Sequence, residues 1–154
     1  MYMSIVYIEG EEVMIDEEDL PLLDTCNWHI YERHNGIKYV ETFKNKKGVF
    51  LHRLICNTPA GMFTDHINGN GLDNRRVNLR ACTNGQNQAN SKVKKNNKSG
   101  YKGVIKVSKG RWIAKINKDK QRIHLGTFSS PEEAAKAYDN AAKELHGQFA
   151  LTNF

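Results

Sequence analysis

The sequence predicts an α+β fold in two small modules, the second being a three-stranded antiparallel sheet packed on one α-helix. Three observations lead to this prediction. Short β-branched and aromatic runs recur in the first half, three more such runs separated by tight turns follow in the second half, and an alanine-rich helical pattern comes near the end. With 154 residues the chain can form one ordinary domain or two small ones, and the clustered patterns favour two.

In the first half, the runs typical of strands and hairpins are MSIVYIEG, GIKYVETF and GVFLHRLIC. We expect Trp28 to anchor the small core that these strands share. The glycines and asparagines between residues 68 and 74 predict a turn-rich loop, and the pattern after it predicts a short helix near residues 84–91.

In the second half, YKGVIKV, RWIAKIN and QRIHLGTF predict three strands, because SKG and KDK place glycine and aspartate where tight reversals need them. The segment SSPEEAAKAYDNAAKELHG predicts a helix. Ser130 is its expected N-cap, Pro131 occupies the first helical position, and Gly147 ends it.

Charge is distributed unevenly along the chain, which carries +6 overall. Residues 1–24 hold eight acidic side chains and no Lys or Arg, whereas residues 92–122 hold twelve basic side chains and one acidic one. The Lys- and Asn-rich stretch 92–99 lacks large apolar anchors and predicts a basic linker. We therefore expect domains at 1–91 and 100–154, with the acidic segment facing away from any polyanion.

Several classes of protein are disfavoured. No run approaches the roughly 18 to 20 apolar residues of a membrane span, and the acidic N-terminus is unlike a signal peptide, so we expect a cytoplasmic protein. Cys26, Cys56 and Cys82 are widely spaced and odd in number, which argues against disulfides and against a structural zinc site. They are predicted to be reduced core residues.

Adjacent Asp65 and His66 are the first candidates for chemistry. A carboxylate can hold a hard cation while a neutral imidazole accepts a proton from water, and this combination suffices to hydrolyse a phosphodiester. An isolated Asp-His pair is more often a structural feature, so its sequence context decides.

That context resembles the HNH endonucleases, in particular the phage and intron-associated homing type in which asparagine replaces the last histidine. The resemblance lies in three ordered blocks, LHRLI at 51–55, DHINGNGLDNRRVNLR at 65–80 and TNGQNQAN at 83–90, and covers about half of the chain. It implies a ββα-metal nuclease module in which two strands and a helix surround one cation.

The resemblance also implies residue roles. Asp65 resembles the metal-binding carboxylate, His66 the general base, and Asn78 the central asparagine that orients the imidazole. Asn87 resembles the final motif position, a neutral oxygen ligand opposite Asp65. One divalent cation, Mg²⁺ with Mn²⁺ as the alternative, is therefore expected.

Other residues in these blocks have open assignments. The asparagines that compete for motif positions are Asn68, Asn70, Asn74, Asn84 and Asn90, and most are expected to form turns. Asn74 and Arg75 either brace the loop, which we favour, or touch phosphate. His52 and Arg53 either support the fold or contact the DNA backbone.

The C-terminal segment resembles a second family, the Apetala or ethylene-response-factor type of DNA-binding domain. The matching stretches are SGYKGV, RWIAKI, LGTFSSPEEAAKAYDNAA and HGQFALTNF. This family lays its sheet in the DNA major groove. Expected DNA contacts are Lys102, Lys106, Lys109, Arg111, Lys115 and Arg122.

Departures from the plant pattern limit what is carried over. Residues Ile105, Val107, Lys109, Asn117 and His124 stand where the plant factors favour Arg or Trp, so base specificity cannot be inherited. Some of the lysines are expected only to keep sheet edges from pairing, and Trp112 is expected to be core rather than a stacking platform.

Together the two resemblances imply a site-directed endonuclease that acts on double-stranded DNA. One active site per chain predicts a nick, and a homing or mobile-element role in a bacterial or phage-infected cell is the implied context. A monomer is expected, with a dimer as the alternative. The main competing hypothesis is a DNA-binding transcriptional regulator with an inactive nuclease fold; RNA binding is weaker, because paired exposed aromatics are missing from the sheet.

Overall fold

The computed structural model describes residues 2–93 and 96–154, and the chain divides into two compact units between Thr83 and Asn84. Each unit has a hydrophobic core of its own. Across the described ranges, no helix is long and apolar enough to cross a membrane. The architecture is the predicted α+β combination of small antiparallel sheets and helices.

The first unit is built mainly of short antiparallel strands. Strands β1 (Met3–Ile8) and β2 (Glu11–Asp16) form a hairpin, which a 3₁₀ helix, Glu17–Thr25, follows. Strands β3 (His29–Glu32), β4 (Lys38–Lys44) and β5 (Lys47–Phe50) form a sheet in that order. Helix α1 (Leu51–Ile55) comes directly after β5.

A small apolar core joins these elements. Its buried members are Val13, Ile15, Trp28, Val40, Leu51, Ile55 and Leu79. The prediction that Trp28 anchors this core is confirmed, and its indole donates a hydrogen bond to the Leu22 carbonyl. All three cysteines are free; Cys82 is buried, and Cys26 and Cys56 pack against the core.

The predicted strand at 48–56 is partly wrong, because residues 51–55 form helix α1. Leu51 and Ile55 are four residues apart and both buried, which is the spacing of one helical face rather than of an alternating strand. A run of five residues is too short for its apolar pattern to distinguish the two structures.

The segment after α1 supplies a second hairpin. Strand β6 (Phe63–His66) pairs antiparallel with β7 (Leu79–Cys82), and a 3₁₀ turn, Arg76–Asn78, leads into β7. The loop between them is the predicted turn-rich segment. It is tied to the first hairpin, because the Met14 amide donates to the Leu72 carbonyl and the Asn74 amide donates to the Met14 carbonyl.

The second unit begins with helix α2 (Asn84–Ala89), close to the predicted range. Strands β8 (Val104–Ser108), β9 (Arg111–Lys118) and β10 (Gln121–Phe128) form the predicted three-stranded meander, with β9 in the centre. Helix α3 (Pro131–His146) lies on one face of that sheet. The Ser130 hydroxyl accepts a hydrogen bond from the Glu133 amide, so the predicted N-cap is confirmed, as is Gly147 at the C-terminal end.

The domain boundaries at 91 and 99 stay predictions, and the structure adds detail on either side of them. Helix α2 packs with α3 in the second unit. Lys94 and Lys95 of the proposed linker lie outside the described residues. The linker's last residues are ordered, because the Asn97 carboxamide oxygen accepts from the Ser99 and Gly100 amides and its nitrogen donates to the Tyr101 carbonyl.

Two glycines near β8 give a matched test of packing in the second unit. Gly100 and Gly103 both have positive φ, 77° and 74°, but a Cβ at Gly100 would meet open space. A Cβ at Gly103 would overlap the Tyr138 ring and lie 2.7 Å from the Lys115 carbonyl oxygen. We expect Gly100→Ala to lower the free energy of unfolding by about 1–2 kcal/mol, the cost of the left-handed backbone. Gly103→Ala should cost about 1–3 kcal/mol more, because it also overpacks the helix and sheet.

Urea unfolding of the two variants measures this difference. Equal losses at both positions would show that the sheet and helix are not packed as closely as described.

Candidate functional site

The Asp65-His66 pair lies at the end of β6, with both side chains buried. Across the strand pair, Asp65 is directly opposite Arg80 of β7. The Arg80 guanidinium donates from Nε at 2.8 Å and from Nη2 at 2.7 Å to Oδ2 of Asp65. This ion pair fixes the carboxylate in a site from which water is largely removed, so it is stronger than an exposed pair.

Aromatic rings and a second imidazole surround His66. The His52 ring lies edge-on to it with centroids 4.8 Å apart, and Tyr39 lies 5.9 Å away. The Phe50 ring stacks nearly parallel on the His52 ring, with centroids 5.2 Å apart. These contacts restrict rotation of the His66 ring, as a positioned base requires.

Burial sets the charge state of both imidazoles. It lowers the pKa of His66, while the Asn74 side-chain carboxamide and the carboxylates of Asp65 and Asp73 raise it. Burial, followed by the neighbouring His66 and by Arg53 and Arg33, lowers the pKa of His52 to about 3. Both rings are therefore neutral at pH 7, the form in which an imidazole accepts a proton.

The loop after His66 is held by a network centred on the fully buried Asp73. Arg75 donates from Nε to Oδ1 of Asp73 at 2.7 Å and from Nη2 to Oδ2 at 2.6 Å. The Asn68 carboxamide donates to Oδ2 at 2.8 Å. These bonds favour the bracing role of Arg75 over a phosphate contact, and the assignment stays a prediction. The adjacent Asn74 is fully buried.

The Asn78 side chain belongs to the same network. Its oxygen accepts from the Asn68 amide at 3.0 Å, and its nitrogen donates to the Asp73 carbonyl at 2.8 Å and to the Asn68 carboxamide oxygen at 3.0 Å. These bonds connect the end of the loop, at Asn78, with its beginning, at Asn68, and its middle, at Asp73. The predicted action of Asn78 on the His66 tautomer stays a prediction.

Acidic residues of the N-terminal segment reach this loop. Arg76 donates from Nε and Nη2 to the two carboxylate oxygens of Asp19, at 2.8 and 2.7 Å, and its amide donates to Asp16 at 2.8 Å. Asp16 and Asp19 are both buried. At least part of the acidic segment therefore acts inside the fold, stabilising the loop that follows the candidate catalytic pair.

His52 and Arg53 both have contacts inside the first unit. His52 is buried in the ring cluster, and within the described ranges its Nδ1 has no hydrogen-bond partner. The Arg53 guanidinium donates to the Met62 carbonyl at 2.8 Å. Of the two assignments left open for this pair, these contacts favour support over DNA contact.

Asn87, the second predicted metal ligand, lies on α2 as expected, but in the second unit, whereas Asp65 lies in the first. Their pairing at one cation stays a prediction. In residues 2–93 and 96–154, no group of three or more His, Cys, Asp and Glu side chains could hold a metal by itself. The donors in question are a carboxylate and an amide oxygen, which suit Mg²⁺ because that ion keeps several of its waters.

One face of the sheet in the second unit is turned away from α3, and we call it the open face. Along each strand, the side chains of the open face alternate with side chains that are buried toward the helix, such as Val104, Ala114 and Ile116. It carries Ile105, Arg111, Ile113, Lys115, Asn117, Arg122, His124 and Thr127. No strand residue of this sheet is acidic, so the open face is cationic.

The six predicted DNA contacts separate into two groups. Arg111, Lys115 and Arg122 lie together on the open face. Lys109 is in the exposed turn between β8 and β9, Lys106 lies over the Trp112 ring at 5.5 Å on the helix side, and Lys102 donates to the Ala89 carbonyl. Burial lowers the pKa of Lys102 to about 8. All six assignments stay predictions, and the geometry favours the first three.

Sequence reasoning missed Arg80, Arg76, Asp73 and Tyr39. A signal existed for Arg76, because the acidic segment has no basic residue of its own to neutralise its buried carboxylates. The pairing of Arg80 with Asp65 can be inferred only when the register of β6 and β7 is known. No pattern in the sequence around Tyr39 indicates its contact with His66.

Comparison with known families finds two matches along the chain, and the first extends past Thr83 into helix α2. Residues 49–89 match the family model for HNH endonucleases, and residues 99–148 match that for the AP2 domain. The first match contains Asp65, His66, Asn78 and Asn87, and the second contains the open face.

Similar proteins also fall into two kinds. An uncharacterized HNH endonuclease of Acanthamoeba polyphaga mimivirus is 28% identical over 97% of this chain and 82% of its own length. The AP2/ERF and B3 domain-containing transcription repressor TEM1 of Arabidopsis thaliana is 44% identical over 45% of this chain and 19% of its own length. The dehydration-responsive element-binding protein 1E of Oryza sativa subsp. indica is 34% identical over 57% of this chain and 41% of its own.

The structure and these matches define a chain of two compact units with matches to two domain families. Residues 49–89 match HNH endonuclease domains and residues 99–148 match AP2 domains, and both kinds of domain bind DNA.

The buried His52 predicts a component of the pH dependence of stability. Its pKa is about 3 in the folded chain, against an ordinary value near 6.5, so the unfolded chain takes up the proton first as the pH falls. This component of stability is complete above pH 6.5 and is lost progressively toward pH 3, by at most about 1.4 kcal/mol per pH unit. His52→Gln should therefore show a shallower loss of unfolding free energy between pH 7 and pH 5 than the wild type.

Chemical unfolding at several pH values measures the two slopes. Parallel curves would contradict the burial of a neutral imidazole at residue 52, whatever offset in stability the substitution itself causes.

Proposed function

We propose that this protein is a metal-dependent, site-directed DNA endonuclease that hydrolyses one phosphodiester bond per active site. The observation that carries the proposal is the buried Asp65-His66 pair at the end of β6, inside the segment that matches the HNH endonuclease model. The second unit, with its cationic open face, supplies affinity for duplex DNA.

His66 is the general base in this proposal. Its ring is neutral because burial lowers its pKa, and contacts with His52 and Tyr39 limit its rotation. It takes a proton from the attacking water as the water oxygen bonds to phosphorus and the bond to the leaving 3′ oxygen breaks. The leaving 3′ oxygen takes a proton from solvent water, so the products are a 5′-phosphate and a 3′-hydroxyl end.

Asp65 and Asn87 are the side chains that would hold the cation, Mg²⁺ or Mn²⁺. Their carboxylate and amide oxygens are the hard donors that these ions take, and they leave room for water and phosphate oxygens. When bound, the cation offsets the negative charge that develops on the reacting phosphate. Arg80 orients Asp65 through its bonds to Oδ2.

The open face grips the duplex through Arg111, Lys115 and Arg122, which present cationic side chains with no acidic neighbour in the strands. One active site per chain makes a nick the expected product of a monomer. A double-strand break would need two chains or two successive events. A homing or mobile-element role in the cytoplasm of a bacterial or phage-infected cell is the context that we propose.

One observation favours a second candidate, a DNA-binding regulator with an inactive nuclease fold. The Asp65 carboxylate, which has to bind the cation, is already paired with Arg80. If that pair excludes the cation, the chain binds DNA without cutting it.

Supercoiled plasmid distinguishes the two candidates. With Mg²⁺ or Mn²⁺ we expect the wild type to produce nicked circles, and EDTA to stop the reaction. His66→Gln should reduce the nicking rate by at least about 10²-fold, because a positioned general base contributes roughly that much. His34→Gln, at an exposed position in the same unit, is the matched control and should nick normally.

Failure of the wild type to cut, on plasmid or on DNA from its native locus, together with equal DNA binding by all three proteins, would favour the regulator.

The salt dependence of DNA affinity tests the open face separately. Each phosphate contact contributes about 0.9 to the slope of log affinity against log salt concentration. The double variant Lys115→Ala/Arg122→Ala should therefore reduce that slope by about 2. Lys136→Ala/Lys143→Ala, which removes two exposed lysines from α3, is the control and should leave the slope unchanged. If both double variants have the same slope, the duplex binds at a surface other than the open face.

A further inference from the structure

A row of methyl-bearing side chains crosses the open face. Ile105 of β8 lies directly opposite Ile113 of β9, and Ile113 lies directly opposite Thr127 of β10. Opposed residues on antiparallel strands project from the same face of a sheet, so the three side chains stand side by side. With strands roughly 5 Å apart, the row spans about 10 Å, comparable to the width of the DNA major groove.

The row is accessible and is not part of the core. Its neighbours in the strands, Val104 and Ala114, are the residues buried toward α3. Ile105 is 49% exposed, although its type is usually buried. Core packing in this unit therefore gives no reason for isoleucine at this position.

Cationic side chains flank the row within β9, Arg111 on one side and Lys115 on the other. Arg122 of β10 adds a third positive charge beyond Lys115 on the same face. A polyanion with an accessible apolar surface complements this arrangement better than an apolar protein partner, because the three positive charges would oppose burial against an apolar surface. Duplex DNA has both properties, because thymine presents a methyl group in the major groove.

We infer that Ile105, Ile113 and Thr127 are specificity-determining residues that contact thymine 5-methyl groups in the major groove. The inference rests on the proposed function, in that it requires the open face to bind duplex DNA. Neither isoleucine can hydrogen-bond to a base edge, so they cannot select guanine or cytosine through the polar atoms of those bases. The preferred target therefore has A·T pairs beneath the row.

Replacing thymine with deoxyuridine tests this contact, because the change removes only the methyl group. The full-length protein in EDTA is first used to select bound duplexes from a random pool. Each thymine of the selected site is then replaced singly by deoxyuridine, and the dissociation constants are compared. We expect at least one replacement to weaken wild-type binding about fourfold, the effect of losing one buried methyl-sized group.

Ile105→Ala should bind the thymine and deoxyuridine forms of the site equally at the position that Ile105 contacts. Ile123→Ala is the matched control, because Ile123 is also partly exposed, at 37%, but lies opposite Ile116 on the helix side of the sheet. It should keep the full discrimination. This cycle separates the side-chain contact from any effect of deoxyuridine on the DNA itself.

Tight binding that no deoxyuridine replacement weakens would overturn the inference and leave the proposed function standing. The same holds if Ile105→Ala retains the wild-type discrimination, because the methyl groups would then be contacted elsewhere. Absence of any duplex binding, in contrast, would overturn the proposed function and this inference together.

Discussion

The candidate active site depends on buried carboxylates that hold the loop between β6 and β7. Asp73 binds Arg75 and Asn68 inside that loop, and Asp16 and Asp19 bind Arg76 from the N-terminal segment. A buried carboxylate without partners is strongly unfavourable, so each of these charges specifies its partner. His66 comes directly before the loop and Asn78 at its end, so the position of both follows from this network.

The two units use charge in different ways. In the first, acidic and basic residues neutralise one another in buried or half-buried pairs, such as Asp19 with Arg76 and Asp65 with Arg80. In the second, the strands carry basic residues and no acidic ones, and the basic side chains of the open face are left facing outward. Paired charges give a fixed geometry for chemistry, and unpaired cations attract phosphate.

Much of this arrangement could be predicted from residue order alone, and the failures have physical causes. Turn residues and the Ser130 cap locate the meander and α3, because those signals are local. The pattern predicts strand at 51–55, where the chain is helical, because five residues are too few to distinguish the two periods and the core that buries them includes the distant Val13 and Val40. The Asp65–Arg80 pair and the ring contacts of His66 depend on strand register and on residues far apart in sequence, which local patterns do not encode.

Direct binding of Mn²⁺ to the full-length protein without DNA tests the central claim, that Asp65 and His66 form a metal-dependent catalytic site. Titration should give one site in the wild type and in His66→Gln, because the imidazole acts on water. Asp65→Ala should lose it, whereas Asp24→Ala, which removes an exposed carboxylate, should keep it. Loss of the site in His66→Gln with retention in Asp65→Ala would contradict the assignment of roles, and binding unchanged in every variant would place the cation elsewhere.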